Sequence, residues 1–105
     1  MSFRIRKAAV LGAGVMGSGI AAHLANAGVR TILLDVVPNG VGPDQSHEAR
    51  SALALKGIDN ALKFKPAPLF YDKSGVDFVS VGNFDDDLEK IADCDIVIEA
   101  IVENI

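Results

Sequence analysis

The hexapeptide Gly12-Ala13-Gly14-Val15-Met16-Gly17 separates two segments of different habit. Before it, Lys7-Ala8-Ala9-Val10-Leu11 is a short apolar run that ends abruptly, as does a strand buried on both faces of a parallel sheet. After it, Val15 to Ala27 favours helix. Met16, Ile20, Leu24 and Ala27 recur at spacings of four, four and three, which predicts one apolar face, and Gly28 supplies the stop. Arg30-Thr31-Ile32-Leu33-Leu34 is a second apolar strand, closed by Asp35. Strand, glycine turn, helix and strand within about 30 residues form a βαβ unit.

The remainder extends the alternation. Val36 to Pro43 reads as a loop, marked by Pro38, Asn39-Gly40 and Gly42-Pro43. A second helix is predicted from Asp44 to Phe64, with Leu55, Ile58 and Leu62 as its apolar stripe and Asp44 or Ser46 as its cap. Gly57 weakens that helix by up to ~1 kcal/mol relative to alanine, and Pro66 and Pro68 end it. Phe70 to Gly75 is an irregular connection, Val76 to Val81 a strand, Asp85 to Ile91 a short helix with an acidic first turn, and Asp95 to Glu99 a last buried strand. The order β-α-β-α-β-α-β predicts an α/β fold: a Rossmann-type parallel sheet, partial at about four strands, with helices on both faces. Residues 1–105 are then the N-terminal part of a dinucleotide-binding domain.

In that setting the glycines acquire separate tasks. Gly12 turns the chain sharply out of the strand, Gly14 lets backbone approach a pyrophosphate, and Gly17 lets the helix pack close to the strand. Free N–H groups and the positive dipole at the helix start hold the diphosphate without a lysine. Asp35 lies 18 residues after Gly17, where a carboxylate accepts from both hydroxyls of an adenosine ribose and repels a 2′-phosphate. Val36 and Val37 follow it, so no arginine stands immediately beyond to welcome that phosphate, and NAD is expected over NADP. An ordinary tight turn with a solvated acid, and the similar opening of an FAD-binding domain, are the competing readings. The triphosphate loop GxxxxGK[ST] is missing, because Ser18 stands where its lysine belongs.

Composition excludes several other classes. Half of the 105 residues are hydrophobic and 23% charged, unlike a disordered chain. The lone Cys94 forbids an internal disulfide. A net charge of −4 with no basic run makes nucleic acid a poor partner. No apolar stretch approaches the ~20 residues of a membrane span. The N-terminal basic residues and apolar run fail as a signal peptide, because Gly12, Gly14, Gly17 and Gly19 interrupt the run. A cytoplasmic domain is expected.

Val10-Leu11-Gly12-Ala13-Gly14-Val15-Met16-Gly17-Ser18-Gly19-Ile20-Ala21 resembles the opening of the NAD-binding domain of 3-hydroxyacyl-CoA dehydrogenases. So do Asp35 after the second strand and the segment Asp95-Ile96-Val97-Ile98-Glu99-Ala100-Ile101-Val102-Glu103-Asn104. The resemblance covers essentially the whole chain, least closely residues 37–83. It implies NAD-linked oxidation of the 3-hydroxyl of a hydroxyacyl-CoA in fatty-acid β-oxidation, with an acyl-CoA substrate and a homo-oligomeric parent. It implies that Gly12, Ala13, Gly14, Val15, Met16 and Gly17 line the diphosphate and adenosine, and that Asp35 holds the ribose. Ala100, Ile101, Val102 and Glu103 would lie where the fourth strand delivers its loop towards the nicotinamide half. The family's catalytic histidine and its partner glutamate, and the helical domain that completes the substrate cleft and dimer, lie beyond residue 105. The chain is therefore expected to be a piece carrying cofactor-binding residues only, inactive by itself. A 3-hydroxyisobutyrate- or 6-phosphogluconate-type dehydrogenase is the alternative within oxidoreductases, disfavoured by Asp35 with no arginine after it. A non-catalytic nucleotide-sensing module is the alternative outside them.

Other residues invite chemistry and have plainer roles. His23 and His47 are expected to be partly exposed helix residues, and Cys94 a small packing residue. Asp85-Asp86-Asp87 lacks metal-loop spacing and fits a helix cap. Phe64, Phe70 and Tyr71 are expected to pack. Lys56, Lys63 and Lys65 form a solvated face, with a phosphate contact as the alternative.

Overall fold

Ala8, Ala9 and Val10 retain no exposed surface, and neither do Leu33 and Leu34. Both faces of the strands that carry them are therefore covered, as their unbroken apolar runs require. The computed structural model describes residues 5–63 and 73–100. In chain order these form β1 (Lys7–Leu11), α1 (Val15–Asn26), β2 (Arg30–Asp35), α2 (His47–Arg50), α3 (Ala52–Leu62), a 3₁₀ segment (Lys73–Phe78), β3 (Val79–Asn83), α4 (Phe84–Asp87), a second 3₁₀ segment (Leu88–Asp93) and β4 (Ile96–Glu99). All strands are parallel, in the order β3-β2-β1-β4. Leu11 stands opposite Leu34 on one side and Glu99 on the other.

The two faces carry separate cores. Val10 and Leu33 pack with Ala21, Ala22 and Ala25 of α1 and with Ala54, Ile58 and Ala61 of α3. Ala9, Ile32 and Leu34 pack on the opposite face with Phe84, Ile91 and Cys94. The expected α/β sheet with helices on both faces is what forms. The chain builds outward from β1 to β2 and β3, then crosses back to place β4 on the other side of β1. The strand order reverses there, and the carboxyl ends of β1 and β4 flank the point where open α/β sheets bind ligands.

Several local expectations are corrected. The buried face of α1 is Gly17, Ser18, Ala21, Ala22 and Ala25; of the expected stripe Ile20 and Leu24 pack at its margin, while Met16 is 65% exposed and Ala27 is exposed. The stripe of α3 is Ala54, Gly57, Ile58 and Ala61; Leu55 faces outward and Leu62 is only half-buried. The reason is common to both. Small residues let the two helices approach closely, so the larger side chains are displaced to the margin. The single helix expected from Asp44 is two, capped by Ser46, whose hydroxyl accepts from the Ala49 N–H at 3.1 Å. They part at Ser51, whose backbone leaves helical geometry and whose hydroxyl takes a bond from Asn83. The third strand begins at Val79, after a 3₁₀ segment. The expected burial of β4 is also wrong: Ile96 and Val97 are 36% and 43% exposed, and neither core cluster includes a residue of this edge strand among the described residues. No helix among the described residues is long and apolar enough to cross a membrane.

Candidate cofactor-binding site

The site begins where β1 ends. Gly12 has φ of 109°, in the region that side-chain-bearing residues avoid, so the chain leaves the strand in a turn that glycine permits. Its N–H still donates to Leu34 O at 2.7 Å, which ties the turn to β2. Three residues into the following helix-start, Gly17 is buried against that turn. A Cβ there would stand 1.7 Å from Gly12 O. The first turn of α1 therefore lies directly on the end of β1, with no room for even a methyl group.

Gly14 does the opposite. It is exposed and extended, and a Cβ on it would meet nothing within 4 Å. It occupies the cap position of α1, and the helix begins with neither a side-chain cap nor an acidic residue in its first turn. The free amides and positive end of a 12-residue helix thus open at the exposed residues Gly14, Val15 and Met16. Such an end attracts a phosphate group.

Asp35 closes β2 beside this turn. Its Oδ2 accepts from the Ala13 N–H at 2.8 Å and its Oδ1 from the Val36 N–H at 2.6 Å. The carboxylate is half-buried and oriented by both bonds, yet its oxygens retain capacity for further donors. Ala100 arrives from the other side: its N–H donates to Leu11 O at 2.7 Å, and its Cβ would lie 3.5 Å from one built on Gly17. The structure therefore brings Gly12, Ala13, Gly14, Val15, Met16, Gly17, Asp35 and Ala100 together at the reversal of strand order. Ile101, Val102 and Glu103 lie outside the described residues, as do Phe64, Lys65, Phe70 and Tyr71.

Around this polar turn the surface is apolar. Val15 is 81% exposed, Met16 65% and Val36 52%. Exposed side chains of this kind beside an anion-attracting turn suit a ligand with phosphates at one end and a flat apolar ring nearby. The residues present thus fit a dinucleotide: an uncapped helix start for diphosphate, a carboxylate for ribose hydroxyls and an apolar margin for a base.

A polar network braces the same end of the sheet. Asn83 pairs in register with Asp35, and its side-chain oxygen accepts from the Asp86 N–H at 2.8 Å, which makes it the cap of α4. The acidic run is therefore not itself the cap, contrary to expectation. Asp86 binds the Arg50 guanidinium at 2.8 Å. Asp87 is buried and takes the Asn83 N–H at 3.0 Å, Lys90 Nζ at 2.6 Å and His47 Nε2 at 2.6 Å. Burial alone would raise its pKa, but those bonds outweigh burial and hold it at about 2. His47 is thus engaged as a brace between α2 and α4. Lys63 is exposed and paired with Asp59 at 3.0 Å, in keeping with a solvated face. Sequence reasoning gave Ser18 no bonding role and Asn83 no role at all, and it read Gly57 only as a weakness. Ser18 Oγ donates to Ala13 O at 2.8 Å, and a Cβ on Gly57 would lie 2.4 Å from that Oγ. A glycine inside an amphipathic helix was the available signal for this close approach.

Comparison with known proteins agrees with the geometry. The family described as "3-hydroxyacyl-CoA dehydrogenase, NAD binding domain" matches residues 7–105. A probable 3-hydroxyacyl-CoA dehydrogenase of Bacillus subtilis (strain 168) is 48% identical over 113 residues, covering 100% of this chain and 14% of its own length. One from Deinococcus radiodurans is 49% identical over 102 residues, covering 97% of this chain and 28% of its own. The crystal structure of (S)-3-hydroxybutyryl-CoA dehydrogenase from Ralstonia eutropha superposes with a TM-score of 0.53 at 28% identity, covering 97% of this chain and 33% of that one. The chain spans less than a third of either curated relative.

Proposed function

The chain belongs to the 3-hydroxyacyl-CoA dehydrogenase family, whose NAD-binding domain it matches, and from that premise we propose that Gly12 to Gly17, Asp35 and Ala100 hold NAD for the oxidation of a (3S)-3-hydroxyacyl-CoA. The observation that carries the reading is the convergence of an uncapped helix start, an oriented carboxylate and the end of β4 at one reversal of strand order. Gly14 and the amides after it bind the diphosphate, and Asp35 accepts from the adenosine ribose. Val15, Met16 and Val36 border the adenine. Ala100, at the end of β4, leads towards the nicotinamide half. NAD, when bound, supplies the acceptor for the hydride that leaves the substrate's C3. Proton transfer is assigned to none of the described residues, since His47 is engaged with Asp87 and His23 is exposed on α1.

Residues 1–105 supply the cofactor half of this activity within fatty-acid oxidation, in the cytoplasm, as part of a homo-oligomer. The family match sets aside the 3-hydroxyisobutyrate-type and FAD-binding readings. The test is titration calorimetry with NAD, NADP and FAD. Saturable heat with NAD, with NADP binding at least about tenfold weaker, supports the reading, since a 2′-phosphate would meet the Asp35 charge. Equal or tighter binding of NADP, or heat with FAD alone, defeats it.

A further inference from the structure

We propose that Ser18 is a positioning residue for the cofactor diphosphate, acting through the peptide that joins Ala13 to Gly14, with Gly57 closing its far side. The inference rests on the NAD reading above and adds residues that lie outside the glycine hexapeptide.

Ser18 is 4% exposed, and its hydroxyl donates to Ala13 O at 2.8 Å. A trans peptide is planar, so its C=O and N–H point in opposite directions. With the Ala13 carbonyl held inward against α3, the Gly14 N–H faces outward. Gly14 is itself exposed, with nothing within 4 Å of the place a Cβ would take. No acceptor among the described residues takes the Gly14 N–H. Its donor is therefore left for a ligand. The neighbouring peptide is fixed as well, because the Ala13 N–H donates to Asp35 Oδ2 at 2.8 Å. Ala13 is thus clamped on both sides, by a hydroxyl from α1 and a carboxylate from β2.

Gly57 completes the device. A Cβ on it would stand 2.4 Å from Ser18 Oγ, 2.7 Å from Ala13 O and 3.1 Å from Ala13 Cβ. The α3 backbone therefore covers the Ser18–Ala13 bond and keeps water from replacing it. Without the serine proton the Ala13 carbonyl is a buried acceptor with no partner. It is satisfied only if the peptide turns over. The carbonyl then faces the ligand side, where its partial negative charge meets the phosphates, and the Gly14 donor is lost to them.

The test compares ligands that do and do not carry a diphosphate. Dissociation constants for NAD, ADP-ribose and adenosine are measured on the wild-type protein and on Ser18→Ala, together with thermal midpoints. Loss of one charge-assisted hydrogen bond weakens NAD and ADP-ribose by about tenfold or more. Adenosine, held through Asp35, keeps its affinity within about twofold. A general loosening of the fold would weaken all three alike, and that outcome overturns the proposal, as does unchanged affinity for NAD. Hydrogen exchange on the wild type gives a reading that needs no variant. The Gly14 amide exchanges freely in the ligand-free protein and becomes protected with ADP-ribose. Protection before ligand is added, or none after saturation, also refutes the assignment. If the wild type binds neither NAD nor ADP-ribose, the NAD reading itself fails; if it binds both and Ser18→Ala does too, only the positioning role falls.

Discussion

Replacing Gly17 with alanine sets helix propensity against packing, and the structure decides the sign. In an unconstrained helix interior alanine is favoured over glycine by about 0.5–1 kcal/mol. Here the new methyl would lie 1.7 Å from Gly12 O and 2.8 Å from Gly12 C, while real contacts of this kind stay at 3.0 Å or more. The helix and the turn must part by the difference between 1.7 and 3.0 Å, at least 1.3 Å. Both crowding atoms are backbone, so no rotamer change relieves them. Overpacking of this type costs about 1–3 kcal/mol, which exceeds the propensity gain. The net loss of roughly 1–2 kcal/mol lowers the thermal midpoint by about 4–15 °C for a domain of this size. The same movement pulls the first amides of α1 away from the end of β1, so NAD affinity falls with stability. Urea unfolding followed by circular dichroism, with an NAD titration on the same samples, measures both. An alanine variant as stable as the wild type, with unaltered NAD binding, would refute the claim that this contact is closed.

Gly14→Ala should behave differently: its methyl enters open space, so stability stays within about 0.5 kcal/mol while NAD binding weakens because the methyl occupies the ligand side. A paired measurement of unfolding and calorimetry distinguishes the two glycines, and equal destabilisation of both variants contradicts the assignment. Asp35→Asn retains one acceptor and removes the charge, so NAD should weaken about tenfold and its advantage over NADP should shrink, read from dissociation constants for both. Asp87 has a folded-state pKa of about 2, below its ordinary 3.8, so its contribution to stability is present above about pH 4 and is lost as pH falls towards 2. Its partners His47 and Lys90 are half-exposed, which reduces the effect to about 1–2 kcal/mol. Asp87→Asn should therefore be less stable than wild type at pH 7, with the gap closing by pH 2 in denaturant titrations; a gap independent of pH counts against the brace.

The first βαβ unit was readable because each signal in it is local. An apolar run broken by Gly12, a helix stopped by Gly28 and a strand closed by Asp35 need no distant partner to be recognised, and all three elements form where the residues indicate. The glycine turn and Asp35 were legible for the same reason. What escaped depends on how closely elements approach. Periodicity pointed to Leu55 and Leu62, yet the interface between α1 and α3 selects Ala22, Ala25, Gly57 and Ala61, because only small side chains fit there. The break at Ser51 sits where its hydroxyl takes a bond from Asn83, 32 residues away in the chain, which no local pattern announces. The exposure of β4 follows from its place at the sheet edge, where neither core cluster among the described residues covers it, a matter of sheet order and not of strand composition.

The central claim is that one crook, at the carboxyl ends of β1, β2 and β4, holds the dinucleotide. Amide chemical shifts recorded during an NAD titration test it residue by residue. The account predicts saturable changes clustered at Gly14 to Gly17, at Asp35 and Val36, and at Ala100. Changes centred on Lys7, Arg30 and Phe78 at the opposite end of the sheet, or a spectrum unmoved by millimolar NAD, would contradict it.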